Sequence, residues 1–226
     1  MNTTLRIAGL FTAVLYAGCA SYPMTVPDKC PDGSDPIAWK PAPETFKDYR
    51  LTPPSGGHWC LLEKDKDKGA MYAKNQHAGV TYQKQPGWPV AMNTMMLLSI
   101  PSTPPQLAES RGDPEKVRHL IQDDMKRLET LSVALKKVDI QRDTARSDAV
   151  CFNVTYLRDG KLSNSNPEME LTEEGRNLIC LHPTRPVLVN VGMSERYMTH
   201  EPPKTKLSAR YKSEIDGYLN SLQFIQ

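Results

Sequence analysis

Five cysteines, Cys19, Cys30, Cys60, Cys151 and Cys180, are the side chains of this sequence best suited to making or holding a covalent bond. A thiol can act as nucleophile, metal ligand, redox partner or acylation site, and compartment and neighbours decide which. Zinc needs three or four ligands at workable spacing. The nearest cluster is His58-x-Cys60, while His77, His119, His182 and His200 are scattered, so no metal site is expected. A serine nucleophile on a sharp turn needs Gly-x-Ser-x-Gly; Gly192-Met193-Ser194-Glu195-Arg196 lacks the second glycine and has no helix signal after it. No glycine loop suited to cradling phosphate is present. Two carboxyls doing acid–base work must face each other across a cleft at about 5 to 9 Å. The neighbours Asp123-Asp124 and Glu173-Glu174 read instead as solvated charges. The expectation is therefore no catalytic residue, no cofactor and a protein that is not an enzyme, with a hydrolase built from dispersed residues as an alternative.

The first nineteen residues set the compartment in which those cysteines work. Met1 to Arg6 is short and polar with one cation, Ile7 to Tyr16 is an apolar run, and Ala17-Gly18-Cys19 closes it. Such a run is too short for a membrane span of about 20 residues and suits a secretory signal. Leu15-Tyr16-Ala17-Gly18-Cys19 resembles a bacterial lipobox, with Tyr16 departing from the usual leucine. That resemblance implies cleavage before Cys19 and diacylation of its sulfur. Ala20 and Ser21 resemble the outer-membrane sorting residues of Gram-negative lipoproteins, so the expected address is the periplasmic face of the envelope, at the outer membrane.

Four cysteines remain in an exported chain, which favours two disulfides among three possible connectivities. Cys30 with Cys60 and Cys151 with Cys180 is the preferred pairing; each loop of about 30 residues would contribute roughly 3.5 kcal/mol by chain entropy. Lys plus Arg number 28 and Asp plus Glu 26, and loss of Arg6 with the signal leaves 27 against 26. A near-neutral chain without a basic block lacks the field that nucleic-acid binding requires.

The division expected is a signal over 1–18, a Pro-rich tether over 19–43 and one domain over 44–226. The tether carries Pro23, Pro27, Pro31, Pro36, Pro41 and Pro43, which deny it regular ladders. The domain opens with a hairpin, strands over 58–63 and 70–74 around the charged loop Lys64 to Gly69. Further strands are expected at Gly79 to Gln83 and Met92 to Ile100, separated by Pro86-Gly87-Trp88-Pro89. Asp113-Pro114-Glu115 starts a helix, and apolar residues from Val117 through Leu135 to Val138 extend it to about 24 residues. Val150-Cys151-Phe152-Asn153-Val154-Thr155-Tyr156 alternates, placing Val150, Phe152, Val154 and Tyr156 on one face and Cys151 on the other. In Leu178-Ile179-Cys180-Leu181-His182, Cys180 likewise opposes the apolar pair, and His182 reads as a satisfied surface residue. Val187, Val189 and Val191 form the next strand; turns are expected at Asp159-Gly160 and at His182 to Pro186, with a polar, acidic connection from Ser163 to Gly175. Leu207, Tyr211, Ile215, Tyr218, Leu219 and Leu222 share one face of a final helix.

Strands, helix, strands, helix in that order argue an α+β fold, an antiparallel sheet with two main amphipathic helices packed on it. The element order resembles the Mog1/PsbP type of domain, a likeness that implies no function by itself. What remains to such a chain is recognition of a protein partner. The candidates for exposed contact are Trp88, the acidic stretch with Glu170 and Glu173, and Glu195-Arg196-Tyr197 with His200. The exported layout and the run from Leu178 to Arg196 are similar to periplasmic immunity lipoproteins paired with type VI secretion phospholipase effectors. That resemblance implies a stoichiometric inhibitor of an antibacterial lipase; a structural or assembly lipoprotein of the envelope is the alternative.

Overall fold

The computed structural model describes residues 35–56, 59–75, 94–107, 110, 113–127, 133–161, 170–200 and 202–225. In chain order the strands are β1 (Asp35–Pro36), β2 (Glu44–Thr45), β3 (Tyr49–Leu51), β4 (Cys60–Asp65), β5 (Gly69–Asn75) and β6 (Thr94–Ser102). Helix α1 (Pro114–Arg127) follows, then β7 (Val133–Asp143), β8 (Val150–Lys161), β9 (Glu170–Leu181) and β10 (Leu188–Met198). Two short helices, α2 (Leu207–Arg210) and α3 (Lys212–Asn220), precede β11 (Gln223–Phe224). The main sheet has the order β1-β4-β5-β6-β10-β9-β8-β7 with every pair antiparallel, and β11-β3-β2 form a small second sheet. The α+β class with an antiparallel sheet is as the element order predicts.

Alternation along the strands builds two cores, one on each face. Leu178, Cys180, Val189, Val191 and Met193 point to one side, where Leu207, Ile215, Tyr218 and Leu219 from α2 and α3 cover them with Trp59 and Tyr49. Phe152, Val154, Tyr156, Ile179 and Leu181 point to the other, beneath Val117, Ile121 and Met125 of α1. Asp113 caps α1 as expected, its Oδ1 accepting from the amides of Glu115 and Lys116. The β4–β5 hairpin turns on Asp65, whose carboxylate accepts from the amides of Asp67 and Lys68, and on Gly69 at φ 97°. A side chain at Gly69 would meet the Ser99 carbonyl oxygen at 1.8 Å, so the hairpin needs glycine there for space as well as for φ.

Several elements differ from the sequence reading. The helix is described over Pro114–Arg127, and from Val133 the chain is strand β7 and not a continuation of that helix. Val138, Ile140 and Arg142 sit two apart opposite Tyr156, Val154 and Phe152, and this sheet pairing prevails over the helical spacing of Leu128, Leu131, Leu135 and Val138. Asp159-Gly160 is no turn, because β8 runs through it to Lys161, and the acidic connection is strand from Glu170 onward. The last helix breaks at Tyr211. The expected tether gives up its end to the domain: Pro36 pairs with Cys60, Ile37 donates its amide to the Trp59 carbonyl, and Gly56 donates to that of Trp39. The predicted strand over 79–83 lies outside the described residues. No helix among the described residues is long and apolar enough to cross a membrane.

Candidate functional site

The register of β8, β9 and β10 gathers most of the sequence-predicted contact residues at one end of the sheet. Glu173 stands opposite Arg158 on one side and Arg196 on the other; Glu174 stands opposite Glu195, and Thr172 opposite Tyr197. These residues are strand members, not an exposed loop, and that is a correction. Glu173, Glu195 and Tyr197 are buried and Arg196 half-buried, because their parity continues the apolar stripes of β9 and β10.

On the α1 face, Glu173 Oε1 accepts from Tyr156 OH at 2.9 Å and Arg158 Nη2 at 2.5 Å, and Oε2 accepts from Arg196 Nε at 3.0 Å. Burial alone would raise the Glu173 pKa, but the Arg196 and Arg158 guanidiniums and the bonds from Arg158 and Tyr156 hold it below the usual carboxylate range. The same neighbourhood pushes the Tyr156 hydroxyl up, chiefly by burial and then by the Glu173 charge. Arg158 lies over the Tyr156 ring at 4.6 Å, so the guanidinium is held by a carboxylate and an aromatic face together.

On the opposite face, Glu195 accepts from the backbone amides of Leu207 and Ser208 at 2.6 and 3.0 Å, fastening α2 to β10. Glu174 accepts from Tyr197 OH and Lys206 Nζ, each at 2.5 Å. Burial alone would raise the Glu174 pKa, but the hydrogen bonds from Lys206 and Tyr197 and the Lys206 charge together hold it below the usual carboxylate range. Further along, Lys74 is 3% exposed and donates to Glu214 Oε2 at 2.7 Å, above the Tyr211 ring at 3.8 Å; Trp59 Nε1 donates to the same oxygen at 2.6 Å. Each of these four acids is thus occupied in joining one element to another. None of the described acids, cysteines and histidines form a group able to hold a metal ion.

At the outer rim Glu170 is half-buried, its carbonyl accepting from the Thr199 amide, and His200 is exposed in the turn beyond β10. Ser194 is buried within β10. Trp88, Cys19 and Cys30 lie outside the described residues. Cys151 and Cys180 are directly paired across β8 and β9 and joined by a disulfide, and Cys60 is disulfide-bonded. His182 departs from expectation in being buried; its Nδ1 accepts from the amides of Thr184 and Arg185, and Nε2 donates to the Ile225 carbonyl. A hollow of about 480 Å³ lined by Pro203, Lys204, Thr205, Ala209 and Arg210 is shallow and open.

Sequence reading missed Arg158, Lys74 and Glu214. Continued alternation was the available signal for two of them, since Arg158 follows Phe152, Val154 and Tyr156, and Lys74 follows Ala70 and Tyr72.

No family model matches the chain, and no curated protein does. Among solved structures it is similar to LpqN of Mycobacterium tuberculosis, described as involved in cell envelope biogenesis, at 11% identity and a TM-score of 0.44, over 86% of this chain and 93% of that one. It is also similar to a variant of the protein Mog1 at 12% identity and a TM-score of 0.42, over 79% of this chain and 96% of that one. At this overlap neither likeness carries fold or function to this chain.

Proposed function

We propose that the chain is a lipoprotein held through Cys19 at the periplasmic face of a bacterial envelope, at the outer membrane, where it binds a protein partner stoichiometrically. The observation that carries the reading is the buried Cys151–Cys180 disulfide joining neighbouring strands. Such bonds belong to oxidising compartments, and this one agrees with the exported start of the sequence. Diacylation supplies the two chains that stable anchoring requires. Trp39, 67% exposed and next to exposed Lys40, stands where the tether meets the domain and suits the water–lipid boundary.

The finer reading is an immunity protein that neutralises an antibacterial phospholipase effector, acting by occlusion without catalysis of its own. It is supported by the use of three acids: the buried Glu173 and Glu195 and the half-buried Glu214 are committed to arginines, helix amides and a lysine, as a rigid binding scaffold requires. Confinement at a membrane raises the effective concentration of such a binder without any new contact.

Two measurements test the two levels. Mass spectrometry of the membrane fraction should find a diacylated Cys19 at the mature N-terminus; a free thiol with Met1 retained overturns the anchor. Titration of the purified chain into a phospholipase effector encoded beside it should abolish lipid hydrolysis at a ratio near one to one. Undiminished hydrolysis at excess overturns the immunity reading and leaves the anchor standing.

A further inference from the structure

The two edges of the main sheet are unequal. At one end β1 is two residues long and includes Pro36, which has no amide to donate. At the other, β7 runs for 11 residues and, among the described residues, pairs with β8 alone. Among the described residues no further backbone hydrogen bond reaches β7. A long strand with an unsatisfied outer row of amides and carbonyls is a template for another strand. Its first half is guarded, because Lys136 is exposed and a bulge interrupts pairing between Leu135 and Lys137. From Lys137 to Asp143 the register is regular.

We infer that this second half pairs antiparallel with the same segment of a second copy of the chain, about a two-fold axis through Ile140. The charge pattern selects both the occupant and the register. A two-fold normal to the sheet preserves faces, so each residue meets one of its own parity, and contacts occur in reciprocal pairs. Centred on Ile140, Lys137 meets Asp143 twice and Asp139 meets Gln141 twice. Gln141 already donates to Asp139 at 2.7 Å within the strand, and the same groups can bond across the axis. On the α1 face, Ile140 meets Ile140 and Val138 meets Arg142 twice, so the partner's Ile140 and the aliphatic stem of its Arg142 cover two half-buried side chains now at the rim of that core. Centring on Asp139 would oppose two carboxylates, and centring on Gln141 would oppose Asp139 to Asp143 twice; like charges directly opposite are destabilising. Centring on Val138 would draw the bulge into the ladder. The product is one continuous sheet across both copies, with both α1 helices on the same side. This inference stands apart from the proposed anchor and inhibitor, since it needs neither lipid nor toxin.

The test uses the full chain with Cys19→Ser, which removes the acylation site. Residue 140 alone faces itself, so Ile140→Cys should give a disulfide-linked dimer under mild oxidant, whereas Asp139→Cys and Gln141→Cys should cross-link only when mixed. A monomeric Ile140→Cys product, or self-linking of Asp139→Cys at an equal rate, overturns the register. By sedimentation, the chain without added cysteines should double in mass with concentration. Lys137→Asp should weaken the dimer about tenfold, from attraction to repulsion at two pairs, and Lys137→Asp with Asp143→Lys should restore it. A chain that stays monomeric throughout, or a charge swap that rescues nothing, overturns the pairing.

Discussion

Arg158 and Arg196, on strands separated by β9, hold the two oxygens of one carboxylate between them: Glu173 Oε1 accepts from the first at 2.5 Å and Oε2 from the second at 3.0 Å. The row crosses three strands at a single level, so it fixes their register as well as their charge. Removing the acid would leave Arg158, 3% exposed, buried without its counter-ion. Glu173→Gln should therefore cost about 3–5 kcal/mol in urea unfolding, the range for breaking one partner of a buried pair. Loss below 1 kcal/mol would show that the row does not hold the sheet.

The same acid sets a pH dependence whose sign follows from its folded state. The Glu173 pKa is lowered on folding, so its contribution is present above the unfolded carboxyl value of about 4.3 and is lost as pH falls below it. Glu174 and Asp216 are also lowered; for Asp216, burial is outweighed by the hydrogen bonds from Lys212 and Arg176 together with their charges. Unfolding free energy should decline steeply from pH 4.5 downward, and Glu173→Gln should flatten that decline. An unchanged slope in the variant would assign the acid sensitivity elsewhere.

His182 acts over a higher window. Burial, first, and the nearby Arg185 charge lower its pKa, while Nδ1 is committed to two backbone amides and must remain an acceptor. A base whose pKa falls on folding stabilises the fold fully above its unfolded value of about 6.5 and progressively less below it. Its protonation would set a third N–H against the amides of Thr184 and Arg185 and loosen the turn that leads into β10. Stability should fall as pH drops below about 6.5, with one proton's worth, about 1.4 kcal/mol per unit, as the ceiling of the slope, and His182→Asn should reduce it. Hydrogen exchange should place the opening at Thr184 and Arg185; a uniform loss of protection would refute a local cause.

How much of this was legible in the sequence depends on the reach of each interaction along the chain. The alternation from Val150 to Tyr156 correctly assigns Cys151 to the face away from Phe152, and the same parity places Cys180 opposite it. The alternation looks finished where the apolar residues end, yet Arg158, Glu173 and Glu195 continue it as buried charges. Whether a charge can occupy such a position depends on partners that sequence does not place nearby: 15 residues separate Arg158 from Glu173, and 140 separate Lys74 from Glu214. Their charge makes Glu173 and Glu195 read as exposed contact residues outside the strands, and Arg158 is passed over. The missed strand β7 has a different cause, because Leu135 and Val138 satisfy a helical spacing while Val138 and Ile140 satisfy an extended one, and pairing with β8 decides between them.

Two glycines make opposite predictions from local geometry. Gly175 lies opposite Tyr156, and a methyl group there would meet the ring carbon Cζ at 2.0 Å. The ring lies over β9 because that position has no side chain, and from there its hydroxyl reaches Glu173. Gly175→Ala must displace Tyr156 and disrupt that hydrogen bond, so a loss of about 1–3 kcal/mol is expected, as for an overpacked core. Gly217 sits within α3, exposed, with nothing within 4 Å of an added methyl. Gly217→Ala should instead gain roughly 0.5–1 kcal/mol, since alanine loses less backbone freedom on entering a helix. Thermal unfolding of the two variants beside the parent chain checks both signs. A neutral Gly175→Ala would mean that Tyr156 has another place to go, and the row Arg158, Glu173, Arg196 would then stand without its tyrosine.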